Sequence, residues 1–321
     1  MQATMKIVFL DTKTVGKVPN LHLLEQFGEV IYYQTTAPAQ TTERIHQADI
    51  VITNKVVLNS SHIGQAPHLK LICIAATGMN NVDLAAARAR GIPVKNVEGY
   101  SSNSVAQGTF SLLLHLLNNT PYYNDYVKIG AYAQSDIFTH IDRPFWELSG
   151  KRFGIIGLGN IGRRVARVAE AFGAEVVYYS ASGQSYQQPY QRLELEELLQ
   201  TSDIVSIHAP LNDYTRNLIH YGRLQLMKRT AILINAGRGG IVNEADLAQA
   251  LDEDLIAGAG IDVFEMEPIN PRNPLLQVSK RDKLVLTPHV TWASIESRTA
   301  LIEQVGAHIG AFMRESAQAI K

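Results

Sequence analysis

Three short segments of the second half of the chain carry side chains that could perform proton and hydride chemistry. The first is Leu233-Ile-Asn235-Ala236-Gly237-Arg238-Gly-Gly, an apolar run that ends in an arginine flanked by glycines. A planar guanidinium beside pliable backbone can clamp a carboxylate through two parallel bonds and polarise a neighbouring keto oxygen. The second is Gly258-Ala-Gly-Ile-Asp262-Val-Phe-Glu265-Met-Glu267-Pro268. Asp262, at the expected strand end, would face the nicotinamide side of a dinucleotide. Glu267 is held extended by the proline that follows it and is a candidate partner for a histidine. The third is Leu284-Val-Leu-Thr-Pro-His289-Val-Thr-Trp292, in which His289 leaves a buried strand directly after a proline. Histidine ordinarily titrates near neutrality and so can give or take the proton that accompanies a hydride; a carboxylate beside it would fix its tautomer.

A fourth segment says where the hydride would come from. Gly157-Leu-Gly159-Asn160-Ile161-Gly162 follows the apolar run Arg152 to Ile156 and opens a helical pattern that continues to Phe172. In that strand-then-helix setting, Gly157 allows the tight turn, Gly159 lets a pyrophosphate approach the backbone, and Gly162 lets the helix close on the strand. The helix N-terminus then supplies free N–H groups to the phosphates. The next strand ends at Tyr179-Ser180-Ala181-Ser182-Gly183, with Ser180 where an acid that binds the ribose 2′-hydroxyl is expected. With neither that acid nor an adjacent base, the sequence admits NAD or NADP and leans towards NAD.

These residues need rigid elements to hold them, and the chain supplies two series. Lys6 to Leu10, Glu29 to Tyr33, Asp49 to Thr53 and Leu69 to Ala75 read as strands without a glycine-rich phosphate loop. A second series comprises Arg152 to Ile156, Glu175 to Tyr179, Ile204 to His208, Ala231 to Asn235, Ile256 to Ile261 and Leu284 to Thr287. Short apolar strands alternating with helical patterns predict an α/β protein with two parallel-sheet, Rossmann-like lobes. Between the series, Tyr100 to Asn118 reads as a capped helix buried on most sides, suited to a core, to a place between domains or to a subunit interface. Ala293 to Met313 reads as a last helix.

The motifs and their order resemble the D-isomer-specific 2-hydroxyacid dehydrogenase family over nearly the whole chain. The resemblance rests on Ala75-Ala-Thr77-Gly78-Met79-Asn-Asn-Val-Asp83, Gly157 to Gly162, Ile207-His-Ala209-Pro210-Leu211, Asn235 to Gly239, Asp262 to Pro268 and Pro288-His289. The Trp292 segment is most similar to glycerate dehydrogenase and hydroxypyruvate reductase members. The resemblance implies that Arg238 orients and polarises a small 2-keto acid and that His289, paired with Glu267, is the acid/base. Backbone at Thr77, Gly78 and Met79 would bind the substrate carboxylate, and Lys55 and Trp292 would line its pocket. The cofactor would lie along Gly157, Gly159, Asn160, Ile161, Gly162, Ser180, Ala209, Pro210, Asn235, Ala236, Gly237 and Asp262. It further implies a dinucleotide-binding domain, residues 99–289, inserted into a flavodoxin-like substrate domain made of residues 1–98 and 290–321, and a homodimer with Ser104 to Leu117 as a contact.

Other functions are weighed against this one. Formate dehydrogenase-like members resemble the chain except for a Gln where Glu267 stands, and phosphite-oxidising relatives share the Arg, Glu and His set. A dinucleotide-sensing corepressor or scaffold is the non-catalytic alternative, although the chain has no basic arm or extended tail. The 321 residues carry a net charge of -1 without long charged runs, which argues against nucleic acid or an anionic membrane as partner. No apolar run approaches the ~20 residues of a membrane span. The lone Cys73 suits a reducing, cytoplasmic setting and reads as structural. No metal site is read from the sequence.

Overall fold

A computed structural model describes residues 4–183 and 189–319. It separates into two compact units, one made of residues 1–101 and 293–321, the other of residues 102–292. The first holds β1 (Lys6–Phe9), β2 (Glu29–Tyr32), β3 (Ile50–Thr53), β4 (Leu71–Ile74) and β5 (Val94–Lys95). They form one parallel sheet in the order β2-β1-β3-β4-β5, the flavodoxin-like order. β3 and β4 read Ile-Val-Ile-Thr and Leu-Ile-Cys-Ile and are buried at every position, as strands covered on both faces must be. Cys73 is among them, and burial pushes its thiol up to about 12, which removes it from thiolate chemistry. The last helix, Ile295–Ala319, belongs to this unit and buries Leu301, Ile302, Val305 and Ile309.

The second unit holds β6 (Arg152–Ile156), β7 (Glu175–Tyr179), β8 (Gln191–Arg192), β9 (Ile204–Ile207), β10 (Ile232–Asn235), β11 (Gly258–Ile261) and β12 (Leu284–Leu286). The order is β12-β11-β10-β9-β6-β7-β8, all parallel. Numbered from its own first strand this is the 3-2-1-4-5-6 winding of a Rossmann sheet with one further strand. Two parallel-sheet lobes are therefore what the sequence predicts and what the chain forms. β5 and β8, two residues each, are additions to that expectation. The winding reverses between β6 and β9, and ligands of such sheets bind outside the strand ends at that point.

The helix Ser102–Leu117 directs Ala106, Phe110, Leu112, Leu113 and Leu117 into the core of its own unit, against Phe153, Ile155 and Ile234. Its exposed positions are Asn103, Gln107, Ser111 and His115, a polar stripe at four-residue spacing. A subunit contact through Ser104 to Leu117, as expected from the resemblance, would therefore be made chiefly by this polar stripe. Among the described residues, no helix is long and apolar enough to cross a membrane.

Both sheets are stapled by the same device. Asp49, just before β3, accepts from the N–H of Lys6 at 2.8 Å and pairs with Lys70 at 2.8 Å. Asp203, just before β9, accepts from the N–H of Arg152 at 2.9 Å and pairs with Lys228 at 2.8 Å. Burial raises the Asp203 carboxyl, but the bonds from Lys228 and Arg152 outweigh it and hold the group below its ordinary value. A carboxylate lowered by folding stabilises above its unfolded value of ~3.9 and stops doing so as pH falls through its folded value. Asp203→Asn is therefore expected to lower the melting temperature at pH 7, with the deficit shrinking as pH drops below ~4. Identical melting curves at neutral pH would dismiss the staple.

Candidate active site

Two turns meet where the second sheet reverses its winding. After β6, Gly157 takes φ +93°, and a Cβ on it would lie 2.8 Å from the backbone nitrogen of Ala209, which follows β9. A Cβ on Gly162 would lie within 2.2 Å of the Gly157 carbonyl oxygen, so the helix Asn160–Ala171 packs directly on the turn. That helix turns Gly162, Val165, Ala166 and Ala169 inward, an amphipathic spacing that fixes its approach. Gly159, in contrast, faces open space, with nothing within 4 Å of where its Cβ would be. The first-turn N–H groups of Asn160 and Ile161 lie beyond it, at a helix end that favours anions.

The opening is a cavity of about 290 Å3 walled by Gly157, Gly159, Ser180, Ser182, Ala209 and Pro210, with Arg163 and His208 also reaching it. His208 bonds through Nε2 to Ser206 Oγ at 2.8 Å, and burial drives its imidazole down to about 3, so the wall carries no positive charge there. A glycine that can bear no side chain, a second that leaves space and a helix N-terminus between them fit a dinucleotide pyrophosphate.

The other strand ends lie side by side because β10, β11 and β12 are successive neighbours. Beyond β10, the buried Asn235 accepts from the N–H of Gly237 at 3.1 Å and donates to the Arg238 carbonyl at 3.0 Å. Its side chain thus shapes the turn that carries Arg238, whose own Nη1 donates to the Gly237 carbonyl at 2.8 Å. Ala236 and Gly237 are buried within that turn. Gly239 lies against the loop after β11 so closely that a Cβ would fall 1.8 Å from the Phe264 carbonyl oxygen. The arginine turn and the acidic loop are in contact backbone to backbone.

Glu267 spans that loop. Its Oε1 accepts from the N–H of Phe264 at 3.0 Å, and its Oε2 meets Nδ1 of His289 at 2.7 Å. Facing a carboxylate, Nδ1 carries the proton and Nε2 is left for other work. His289 is held at φ +52°, a left-handed conformation unusual for a side-chain-bearing residue. Its N–H donates to the Asp262 carbonyl at 2.7 Å. The Asp262 carboxylate, fully buried, accepts from Thr287 Oγ1 at 2.6 Å, Val290 N–H at 2.8 Å, and Thr291 N–H and Oγ1 at 3.1 and 2.6 Å. Asp262, expected at the nicotinamide side, here braces the turn around His289 through both carboxylate oxygens. The sequence marks Asp262 as a strand-end acid but contains no sign of these five bonds.

In the unit of residues 1–101 and 293–321, the turn after β4 is braced by Thr77 Oγ1 on the Val97 carbonyl at 2.9 Å and by Asn96 on the Thr77 carbonyl at 2.8 Å. In this turn the three successive backbone N–H groups of Thr77, Gly78 and Met79 are left without an acceptor among the described residues. Lys55 is exposed at the end of β3, on a loop whose N–H groups at Asn54, Lys55 and Val56 all converge on the buried carboxylate of Asp11, at 2.6–3.2 Å. Asp11 is a positioning group that the sequence reading missed; an acid one residue after an apolar strand is its only signal. Trp292 is half-buried at the end of the other unit.

Comparison with known proteins gives the family. A sequence profile described as "D-isomer specific 2-hydroxyacid dehydrogenase, NAD binding domain" matches residues 110–291. The glycerate dehydrogenase of Methylorubrum extorquens is 38% identical over 311 residues, spanning 97% of this chain and 96% of that protein. The chain belongs to the D-isomer specific 2-hydroxyacid dehydrogenase family. A hydroxypyruvate reductase of Blautia hydrogenotrophica is 35% identical over 97% of this chain and 98% of its own. The NADPH-dependent glyoxylate/hydroxypyruvate reductase of Sinorhizobium meliloti, solved with NADP and malonate, superposes with a TM-score of 0.82 at 27% identity, over 97% of this chain and 94% of that one. The chain is thus an NAD(P)-dependent dehydrogenase that interconverts 2-keto and D-2-hydroxy acids.

In this dehydrogenase the approach at Gly239 is a constraint open to test. Gly239→Ala forces the arginine turn away from Phe264, an overpacking that costs about 1–3 kcal/mol. Lower stability in thermal melts together with reduced kcat/KM is expected. A variant with wild-type values in both would show that the two turns move freely.

Proposed function

We propose that this dehydrogenase reduces a small, polar 2-keto acid of the hydroxypyruvate and glyoxylate class to its D-2-hydroxy acid. The observation that carries the assignment of roles is the 2.7 Å contact between His289 Nδ1 and Glu267 Oε2, on a loop pressed against the turn of Arg238. The proposal divides the work between the two units. Residues 102–292 bind the dinucleotide, and residues 1–101 with 293–321 bind the substrate.

A bound reduced nicotinamide supplies the hydride. The chain must supply the rest: a counter-charge for the carboxylate, polarisation of the keto oxygen and one proton. Arg238 places a guanidinium at a strand end, suited to hold carboxylate and keto oxygen together. Glu267 keeps the Nδ1 proton in place, so a protonated His289 delivers its Nε2 proton to the oxygen and ends as the neutral ring. The free N–H groups at Thr77, Gly78 and Met79 fit a substrate carboxylate, and Lys55 and Trp292 are the proposed pocket residues. The small class of substrate rests on relatives: the glycerate dehydrogenase and hydroxypyruvate reductase named above cover almost the full chain.

The test is absorbance of reduced nicotinamide against hydroxypyruvate, glyoxylate, pyruvate and a branched keto acid. Hydroxypyruvate or glyoxylate should give the highest kcat/KM, and preference for the branched acid would overturn the substrate class. His289→Gln should bind cofactor normally while losing roughly 10²–10⁴-fold in kcat, the usual share of general acid–base catalysis. An equally active variant would remove His289 from its role.

We also infer a homodimer in the reducing environment that the lone buried cysteine suits. Its support is an apolar surface in residues 127–145, where Ile129 is 78%, Phe138 89% and Ile141 74% exposed. The segment is ordered from within: the His140 ring stacks on Tyr126 at 3.8 Å, and its Nε2 lies 2.7 Å from Tyr122 Oη. Large exposed apolar side chains on an ordered segment mark an interface. Light scattering should give a dimer for the wild type and a monomer for Phe138→Asp/Ile141→Asp; a monomeric wild type would refute the inference.

A further inference from the structure

The end of β7 decides which dinucleotide can be accepted. Tyr179 is followed by Ser180, Ala181, Ser182 and Gly183, a stretch with no carboxylate. An acid at this point binds the ribose 2′-hydroxyl and repels a 2′-phosphate, whereas an arginine nearby accommodates the phosphate. The sequence leans towards NAD because no Lys or Arg stands next to the serines. The fold changes that conclusion by bringing one from further along the chain.

The cation comes from β8. This two-residue strand pairs in parallel with β7, Tyr178 opposite Arg192, and so returns the chain alongside the serine turn. Arg192 Nη1 reaches the Gly183 carbonyl at 3.3 Å, while its Nε is buried and has no partner. Ser180 and Ser182, whose hydroxyl oxygens are 3.3 Å apart, line the dinucleotide cavity immediately before Gly183. Arg192 forms no ion pair among the described residues, and neither does Arg163 of the cavity wall, whose guanidinium bonds the Leu158 carbonyl and Asn160 Oδ1. A guanidinium has five donors in a fixed fork, and the bond to Gly183 uses only one of them.

We propose that Arg192 reads the 2′-phosphate of the cofactor, so that this dehydrogenase selects NADPH over NADH. The proposal rests on the reading of the 157–162 turn and its cavity as the dinucleotide site. A phosphate monoester brings close to two negative charges and three acceptor oxygens, to which a guanidinium donates charge-assisted, paired bonds. The serine hydroxyls add neutral donors that a 2′-hydroxyl or a 2′-phosphate can both use, so they tolerate the phosphate without demanding it. Discrimination therefore falls on Arg192.

Titration calorimetry with 2′,5′-ADP and with 5′-AMP isolates this contact, because the two probes differ only in the 2′-phosphate and no turnover is involved. The wild type should bind 2′,5′-ADP about 10–100-fold more tightly, the yield of one or two bonds to a charged group. That advantage should weaken with added salt. Arg192→Gln should bring the ratio close to one, chiefly by weakening 2′,5′-ADP, and Arg192→Lys should restore part of it. Equal binding of both probes by the wild type would overturn the assignment while leaving the dinucleotide site in place. Parallel weakening of both probes in Arg192→Gln would also overturn it, since the residue would then act only as a brace for the serine turn. If neither probe bound, the cavity itself would be misread and the proposal would fall with it.

Discussion

His289 sits in a left-handed turn that its side chain disfavours, and the buried carboxylate of Asp262 is what holds it there. The backbone carbonyl of Asp262 takes the His289 N–H, while its two carboxylate oxygens take Thr287, Val290 and Thr291. A conformation of this kind persists only where surrounding bonds over-determine it. A buried acid surrounded by donors is such a constraint, because removing it would strand several polar groups at once. The reach of Glu267 to Nδ1 depends on that turn, and so does any direction in which Nε2 can point.

The same logic extends along the sheet. Asn235 shapes the Arg238 turn as Asp262 shapes the His289 turn, each from the last buried position of its strand or one beyond it. The reactive side chains themselves make few bonds to the fold, and the polar residues behind them make many. Gly239 then brings the two loops together by having no side chain. Precision comes from hydrogen-bonded strand ends on a rigid parallel sheet, which leaves arginine and histidine free to meet a ligand.

What could be read in advance follows from the range of the interactions. Strands such as Ile50–Thr53 and Ile232–Asn235 announce themselves because burial on both faces demands an unbroken apolar run. The glycine turn is legible because each glycine answers a local steric demand. Glu267 and His289 are visible as types, since proline and a strand end frame both. Asp262 is visible as a strand-end acid, and only the folded turn shows how many donors converge on it. The helix Ser102–Leu117 is ambiguous because a mostly apolar helix reads alike in a core and at an interface. After the short helix Thr120–Lys128 the chain forms only a 3-10 turn before residue 151, so Phe138 and Ile141 emerge only as exposed side chains.

Arg192 shows why the cofactor end was the hardest part to read. In a parallel sheet, neighbouring strands are joined through long connections, so residues that share a ligand can be far apart in sequence. Arg192 follows Ser180 by more than ten residues and lies on a strand of two, too short to carry any pattern. Its register opposite Tyr178 is a property of sheet pairing alone. A local search after Ser180 finds no base, and the absence of an acid then appears neutral between the two dinucleotides. Once the strand is paired, the missing acid and the returning arginine become one feature. The sheet removes repulsion for a phosphate and supplies its counter-charge in adjacent strands.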